Sequence, residues 1–414
     1  MTDIEIITIG DELLLGQTID TNSAFIARQL SEIGLIPRFK SSVGDDVEEI
    51  ENAFKLAIQR AELVVTTGGL GPTDDDNTKK AIVKVFRRRL VLDDKLLEDI
   101  RSRYKKRGIE MPLINQNQAL IPSGSLTFKN KFGSAVGIGI IEKNSVFIAL
   151  PGVPTEMKQM VEGEIIPFLK SKNLGRPVKM ITLRTTGIFE SQLAEIIADR
   201  LKLESGVKLA YLPSFSGVDL RVVAHGESEG VANEKAQKLA AFIEKKIARH
   251  IYGKDHDTLP SVIGKLLKDY NKTVATAESC TGGQLGEMIT SISGSSNYYL
   301  GGFVAYSNDV KKAQLAVREE TLEKHGAVSE ECAFEMAAGC GKILKSDYTL
   351  SITGIAGPEG GTEDKPVGTT FIGLSSVHAT YARSFNFGVD RETNRARACY
   401  AALEMLRREI LDIK

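Results

Sequence analysis

TTGGLGPTDDDNTKKAI (66–82) is the stretch that decides how the first part of the chain folds. It starts at the end of an apolar run, Leu63 to Thr67. It then passes through three glycines and three consecutive aspartates and ends in a helical pattern. A strand that runs through a glycine turn straight into a helix is part of a βαβ unit. Working upstream, IEIITIG (4–10) reads as a buried strand, and Thr21 to Gly34 carries helical apolar spacing at Phe25, Ile26, Leu30 and Ile33. Pro37 to Val43 reads as a strand and Val47 to Arg60 as a helix. This βαβαβ order specifies a parallel sheet with helices on both faces. Downstream, AVGIGII and SVFIALPG form a hairpin about Glu142 to Asn144, and a helix from Thr155 to about Lys170 closes the unit.

The segment SKNLGRP (171–177) reads as a linker. A β-α-β-β-α module follows: strand Lys179 to Thr186, helix Glu190 to Leu201, a hairpin of VKLAYLP and VDLRVVAHG across Ser214 to Gly217, and helix Ser228 to Arg249. GKDHDT (253–258) reads as a second linker. The remainder again mixes strand and helix and ends in a helix, Arg391 to Ile413, that is basic on one face. The expected domains are therefore 1–170, 177–252 and 258–414. There is no internal repeat and no low-complexity tract.

A chain of 414 residues exceeds one ordinary core, in keeping with two or three domains. A net charge of −1 supplies no bulk drive toward nucleic acid or a membrane. No apolar run approaches the ~20 residues that span a bilayer. MTDIEIITIGDE lacks the basic and apolar regions of a signal peptide. The four cysteines (280, 332, 340, 399) have no CxxC spacing and, with five scattered histidines, make no zinc pattern. The expectation is a cytoplasmic protein with reduced thiols.

Three loops are expected at the carboxyl ends of the first domain's parallel strands, where open α/β sheets bind ligands. They are GDELLLGQTIDTN (10–22), TTGGLGPTDDDNT (66–78) and ALPGVPTEM (149–157). Gly68, Gly69 and Gly71 allow close approach of phosphates to backbone. Thr73 and Glu156 join them as substrate-binding candidates. Asp74, Asp75 and Asp76, with Asp11 and Glu12, are candidate ligands for a divalent metal that bridges to a pyrophosphate. Oxygen ligands favour Mg²⁺, Mn²⁺ or Co²⁺. The competing reading of Asp74 to Asp76 is a cap on the next helix.

In the last domain, AESCTGG (277–283) follows the strand run TVATA and precedes a helical pattern. It sets Ser279, Cys280 and Thr281 at a strand-to-helix turn, where a helix N-terminus favours an anion, and Gly282 and Gly283 let a ligand approach. No Ser-His-Asp triad is evident, because His325 and His378 lie outside the motif loops. A buried lysine replaces histidine as base when its pKa is depressed. Lys311, five residues after Tyr306 in GGFVAYSNDVKK (301–312), is the leading candidate. Thr353 and Gly354 open the glycine-rich segment SITGIAGPEGGTEDKPVGT (351–369) and are candidates to line an amide site. Arg391 and Arg395, in FGVDRETNRAR (387–397), share a helix face and suit a phosphate, or else a solvated surface. On chemistry alone the Cys280 thiol is the better nucleophile, but beside a strand end it is often packing.

TIGDELLLGQTIDTN, TTGGLGPTDDDNT and ALPGVPTEM together resemble the molybdopterin-binding domain family, and with AESCTGG they resemble the CinA family of competence/damage-inducible proteins over essentially the whole chain. The resemblance implies an α/β chain: a three-layer molybdopterin-binding-like domain, a small KH-like α+β middle domain and a C-terminal α/β amidohydrolase domain. It implies metal-dependent hydrolysis of ADP-ribose to AMP and ribose 5-phosphate by the first domain. For the last it implies deamidation of nicotinamide mononucleotide to nicotinate mononucleotide and ammonia, with no cofactor. Ser279, Tyr306, Lys311, Thr353 and Arg395 fall on the matching motif positions. That favours Ser279 as nucleophile and Lys311 as base, with Tyr306 and Thr353 positioning and the arginines and glycines holding phosphate. A homodimer is implied as well. The middle module lacks a GxxG loop, so nucleic acid is not an expected partner. Two competing readings are a nucleotide-binding regulator with silent sites and a molybdopterin-handling enzyme.

Overall fold

Strand β1 (Ile4–Ile9) is buried along its whole length, as the centre of a sheet covered on both faces must be. In the computed structural model, which describes residues 3–73, 75–142, 145–172, 174–198, 203–388 and 390–413, it is followed by α1 (Asp11–Leu14), α2 (Thr21–Glu32), β2 (Phe39–Val43), α3 (Val47–Arg60), β3 (Leu63–Thr67) and α4 (Thr78–Val85). Then come β4 (Leu90–Leu92), α5 (Asp94–Lys106), a 3-10 helix at Leu113–Ala119, β5 (Leu120–Pro122), β6 (Leu126–Phe128), β7 (Gly137–Glu142), β8 (Ser145–Leu150), α6 (Pro154–Met160) and α7 (Ile166–Ser171). The sheet order is β2-β1-β3-β8-β7-β6, with β2, β1, β3 and β8 parallel and the last two antiparallel. Alternate residues divide between two cores: Ile4, Ile6, Leu63 and Val65 pack with α2 and α6, while Ile7, Ile9 and Val64 pack with α3 and α4.

Because β1, β3 and β8 are adjacent and parallel, the loops that leave their carboxyl ends emerge side by side. The glycine loop is shaped by close packing. Gly68 has φ +115°, and a Cβ there would lie 2.2 Å from the Ile9 carbonyl oxygen. Gly68→Ala is therefore expected to destabilise the first unit by about 2 kcal/mol or more, read as a lower thermal midpoint. Helix α4 starts at Thr78 rather than near Asp76. The segment read as a first linker is held in place: Leu174 packs on the core, and Gly34 leaves room for the Arg176 backbone.

The chain divides into two compact units, Met1–Lys179 with His225–Asn233, and Met180–Ala224 with Glu234–Lys414. Continuing along the chain are β9 (Val178–Thr185), α8 (Glu190–Ala198), β10 (Val207–Pro213), β11 (Val218–His225), α9 (Glu229–Ile247) and β12 (Ile251–Lys254). The β-α-β-β-α expectation stands, with one correction. Gly253 and Lys254 are not linker; they extend a fourth strand that pairs antiparallel with β9.

The rest comprises α10 (Leu259–Asp269), β13 (Val274–Glu278), α11 (Gln284–Thr290), β14 (Tyr299–Val304), α12 (Asn308–Leu315), α13 (Glu319–Lys324), α14 (Glu330–Leu344), β15 (Tyr348–Gly354), β16 (Thr369–Ser376), β17 (Thr380–Asn386) and α15 (Arg391–Leu411). The sheet order is β14-β13-β15-β16-β17, with the first three parallel. Helix α15 was expected to be basic on one face, yet it is the central core helix: Cys399, Ala402, Leu403 and Leu406 are fully buried. Its Arg407 is buried too, pairing with Glu404 at 2.7 Å and donating to the Arg249 carbonyl at 2.6 Å. Among the described residues, no helix is long and apolar enough to cross a membrane. Asp74, the hairpin residues Lys143 and Asn144, Asn173, the expected helix end beyond Ala198 and Val389 lie outside the described residues.

Candidate active site

The AESCTGG loop is organised by Glu278. Its carboxylate, 2 % exposed, accepts backbone N–H bonds from Gly283 (3.0 Å), Leu285 (3.0 Å) and Gly286 (2.8 Å) at the start of α11. The N-terminus expected to favour a ligand's anion is thus occupied by the chain's own carboxylate. Glu278→Ala strands three N–H groups in the interior and is expected to destabilise the second unit by about 3 kcal/mol or more, measured by thermal unfolding. Glu278 is a letter of the motif the sequence reading left without a role.

What the loop presents is Ser279. Its Oγ lies 3.0 Å from Lys311 Nζ, and Lys311 is 1 % exposed. The same Nζ donates to the carbonyls of Ala305 (2.9 Å) and Tyr306 (3.0 Å). Burial pushes the Lys311 pKa below its ordinary value, and among the described residues no carboxylate pairs with it. In the neutral amine, two N–H bonds are spent on the two carbonyls and the lone pair is left for the Ser279 hydroxyl proton. That is the arrangement of a nucleophile and its base. Cys280 is the opposite case, because burial raises its thiol to about 11, far from a reactive thiolate.

The other candidates divide. Tyr306 is exposed, and its hydroxyl accepts from Arg391 Nη2 at 3.4 Å, while Arg391 Nη1 donates to Gly357 O at 3.0 Å. Arg395 donates to the Thr281 carbonyl at 2.6 Å, and its Nε and the Thr281 hydroxyl have no partner. Ser279, Lys311, Tyr306, Thr281, Gly282, Arg391 and Arg395 are therefore one neighbourhood, reached through successive contacts. Thr353 and Gly354 follow Ile352, whose carbonyl accepts from Ser279 N at 2.9 Å, so the end of β15 lies beside the Ser279 loop. The Thr353 hydroxyl donates to Ala327 O at 2.7 Å, and a Cβ at Gly354 would meet Thr370 Oγ1 at 2.7 Å.

In the first unit, the three loops meet around a cavity of about 660 Å³, lined by Gly10 and Glu12, by Gly68 to Pro72 with Asp75 and Asp76, and by Pro151 to Val153 with Glu156. Asp76 does not cap α4. Its carboxylate accepts from Gly71 N (2.7 Å), Thr73 N (2.9 Å) and Thr73 Oγ1 (2.5 Å), closing the glycine loop on itself. Glu156 accepts from Asn130 Nδ2 at 2.6 Å. The unexpected member of the acidic wall is Asp45, from the loop after β2. Asp11 N donates to Asp45 Oδ2 at 3.0 Å, and Asp45 N donates to Asp11 Oδ1 at 3.1 Å. Burial, with repulsion from Asp11, Glu12 and Asp75, raises the Asp45 carboxyl above its ordinary value.

Among the described residues, no group of three or more His, Cys, Asp or Glu forms a metal cage. Asp76 is spent on its own loop, and Asp11 and Asp45 each give one oxygen to the other's backbone. The remaining oxygens of Glu12, Asp45 and Asp75 line the cavity. Such a set suits a hard cation of the Mg²⁺ type, which takes one or two carboxylates and completes its shell with water and substrate phosphate. The opposite wall comes from elements the sequence reading passed over: Arg103 and Tyr104 of α5, Arg107 just past its end, Gln118 of the 3-10 helix, and Phe132 to Ala135. Arg103 is committed to the carbonyls of Gly133 (2.5 Å) and Asn130 (2.6 Å). The Arg103-Tyr104…Arg107 spacing, one face of a helix, was the available signal.

A molybdopterin-binding-type α/β domain with carboxylates at its strand ends, a KH-like module, and an α/β domain built round a buried Ser–Lys pair define a three-part class of protein. The comparisons agree with that order. The probable molybdopterin binding domain matches residues 5–171, the damage-inducible protein CinA KH domain 181–253, and the CinA C-terminal domain 256–410. A CinA-like protein of Chloroherpeton thalassium is 43% identical over 97% of this chain and 98% of its own, and one of Cytophaga hutchinsonii is 41% identical over 99% and 98%. A solved CinA superfamily structure from Escherichia coli, 35% identical, covers 36% of this chain and 87% of its own with a TM-score of 0.35. The chain belongs to the CinA family.

Proposed function

We propose that the chain is a bifunctional hydrolase of pyridine-nucleotide by-products. The C-terminal domain deamidates nicotinamide mononucleotide, and the N-terminal domain splits ADP-ribose to AMP and ribose 5-phosphate. The observation that carries the first activity is the Lys311 Nζ to Ser279 Oγ contact of 3.0 Å in a buried setting without a counter-ion. Neutral Lys311 takes the Ser279 proton as Oγ attacks the amide carbon. The same proton then goes to the departing nitrogen, and ammonia leaves. Water, deprotonated in turn by Lys311, cleaves the acyl-serine to the carboxylate and restores both residues. Arg391 and Arg395, near the α15 N-terminus, favour a ligand phosphate.

For ADP-ribose, Glu12, Asp45 and Asp75 would hold the divalent cation, which when bound supplies charge neutralisation of the pyrophosphate and a more acidic water. The glycine loop brings backbone within reach of the phosphates, and Arg107 adds a cation on the other wall. Both activities are tested on the purified chain: ammonia release from nicotinamide mononucleotide by wild type and Ser279→Ala, and AMP formation from ADP-ribose with Mg²⁺, Mn²⁺, Co²⁺ or chelator. Absence of ammonia from wild type removes the amidase reading. Unchanged release by Ser279→Ala removes the nucleophile, and chelator-insensitive AMP formation removes the metal.

A further inference from the structure

The two walls of the N-terminal cavity differ in chemistry. One carries the glycine loop and the carboxylates. The other presents Ile100, Tyr104 and Phe132, and set among them is Gln118. Phe132 is 58% exposed and lines the cavity, so its ring is open to a flat apolar ligand there. Gln118 is only 4% exposed, and among the described residues its Oε1 has no hydrogen-bond partner. An unpartnered buried amide oxygen is costly and calls for an explanation. The backbone beneath it is fixed. Lys79 Nζ, from the helix that leaves the glycine loop, donates to the carbonyls of Asn117 (2.9 Å) and Gln118 (3.3 Å). Asn115 Nδ2 donates to the Tyr104 hydroxyl. The Gln118 carboxamide is thus held at the cavity by its main chain, while its own oxygen has no protein donor.

We propose that Gln118 reads the nucleobase of the dinucleotide-like substrate and makes this cavity selective for adenine. The inference rests on the ADP-ribose reading above and specifies it further. Adenine sets an N6–H donor beside the N7 acceptor, and a glutamine carboxamide pairs with that edge through two hydrogen bonds. Hypoxanthine puts two acceptors, O6 and N7, on the same edge and forfeits one of them. Tyr104 and Phe132 supply flat apolar surface for the base, while the glycine loop and carboxylates are left for the pyrophosphate and its metal. The cavity volume lies within the range usual for ligand sites of this size.

The test compares kcat/KM for ADP-ribose and inosine 5′-diphosphoribose on the purified full chain with Mn²⁺, in wild type, Gln118→Leu and Gln118→Met. Wild type is expected to prefer ADP-ribose by about tenfold to a hundredfold, the worth of one bidentate base contact. Both variants are expected to bring the ratio to near one, chiefly through KM. The near-isosteric Gln118→Met serves if the leucine variant does not fold. Equal rates on the two substrates by wild type overturn the inference and leave the pyrophosphatase intact, as does a variant that keeps the full preference. If wild type hydrolyses neither, the pyrophosphatase reading falls, and calorimetric titration with AMP and IMP decides the inference separately. Tighter AMP binding that is lost in the variants upholds it. Equal binding, or none, overturns it.

Discussion

Lys311→Met is expected to lower ammonia release from nicotinamide mononucleotide by about a thousandfold or more, as loss of the base in a nucleophile–base pair does. Ser279→Ala should cost as much, and the double variant little more, because the two residues act as a unit. The cause is geometric: two carbonyls and one hydroxyl surround Nζ, and no other base stands next to Ser279 Oγ among the described residues. Methionine fills the space but takes no proton. The pH profile separates this role from packing. Lys311 is depressed by burial below 10.5 and acts only when neutral, so wild-type kcat/KM should rise with pH and level off before 10.5. The residual activity of Lys311→Met should lack that limb. Stability has its own sign. A lysine whose folded pKa lies below its unfolded one binds its proton more tightly when unfolded, so the second unit gains stability as pH rises between the two values. Denaturation at neutral and alkaline pH should show that gain in wild type and a flatter response in Lys311→Met.

The parallel core was legible because period and punctuation agree there. β1, β3 and β8 are rich in Ile, Val, Leu and Phe, and each ends in a glycine or proline turn, so three loops at one sheet edge followed directly. The Ser–Lys pair was legible because Lys311 lies five residues after Tyr306, across a strand-to-helix entry that constrains where it reaches. Three things were not legible. Glu278 acts through its neighbours' backbone, which no residue-type pattern records. Asp45 belongs to a plain βα turn, and only the pairing of β2 beside β1 brings it to Asp11. The α15 charges read as one basic face, yet Glu404 and Arg407 satisfy each other inside the core. The packing partners of Thr353 and Gly354 at the end of β15, Ala327 and Thr370, come from distant parts of the chain, which the spacing of small residues does not record.

Asp45→Asn is expected to cut metal-dependent AMP formation from ADP-ribose by about a hundredfold while raising the stability of the first unit. The two effects have one origin. In the folded protein the Asp45 carboxyl sits above its usual pKa, first because it is partly buried and then because Asp11, Glu12 and Asp75 repel it. A carboxyl whose folded pKa exceeds its unfolded value destabilises the fold once pH passes the unfolded value. Asparagine removes that repulsion and keeps an oxygen to accept the Asp11 N–H, so the loop geometry survives. The same substitution takes away a full negative charge where the divalent cation would be held. Half-saturation by Mn²⁺ should move to higher concentration, and ammonia release from nicotinamide mononucleotide, carried out in the other unit, should stay unchanged. A higher thermal midpoint with weaker metal dependence is the signature of carboxylates gathered for binding at the expense of stability. A lower midpoint with unchanged metal dependence would instead make Asp45 a structural partner of Asp11 and leave the cation to other acids of that wall, Glu12 and Asp75 among them.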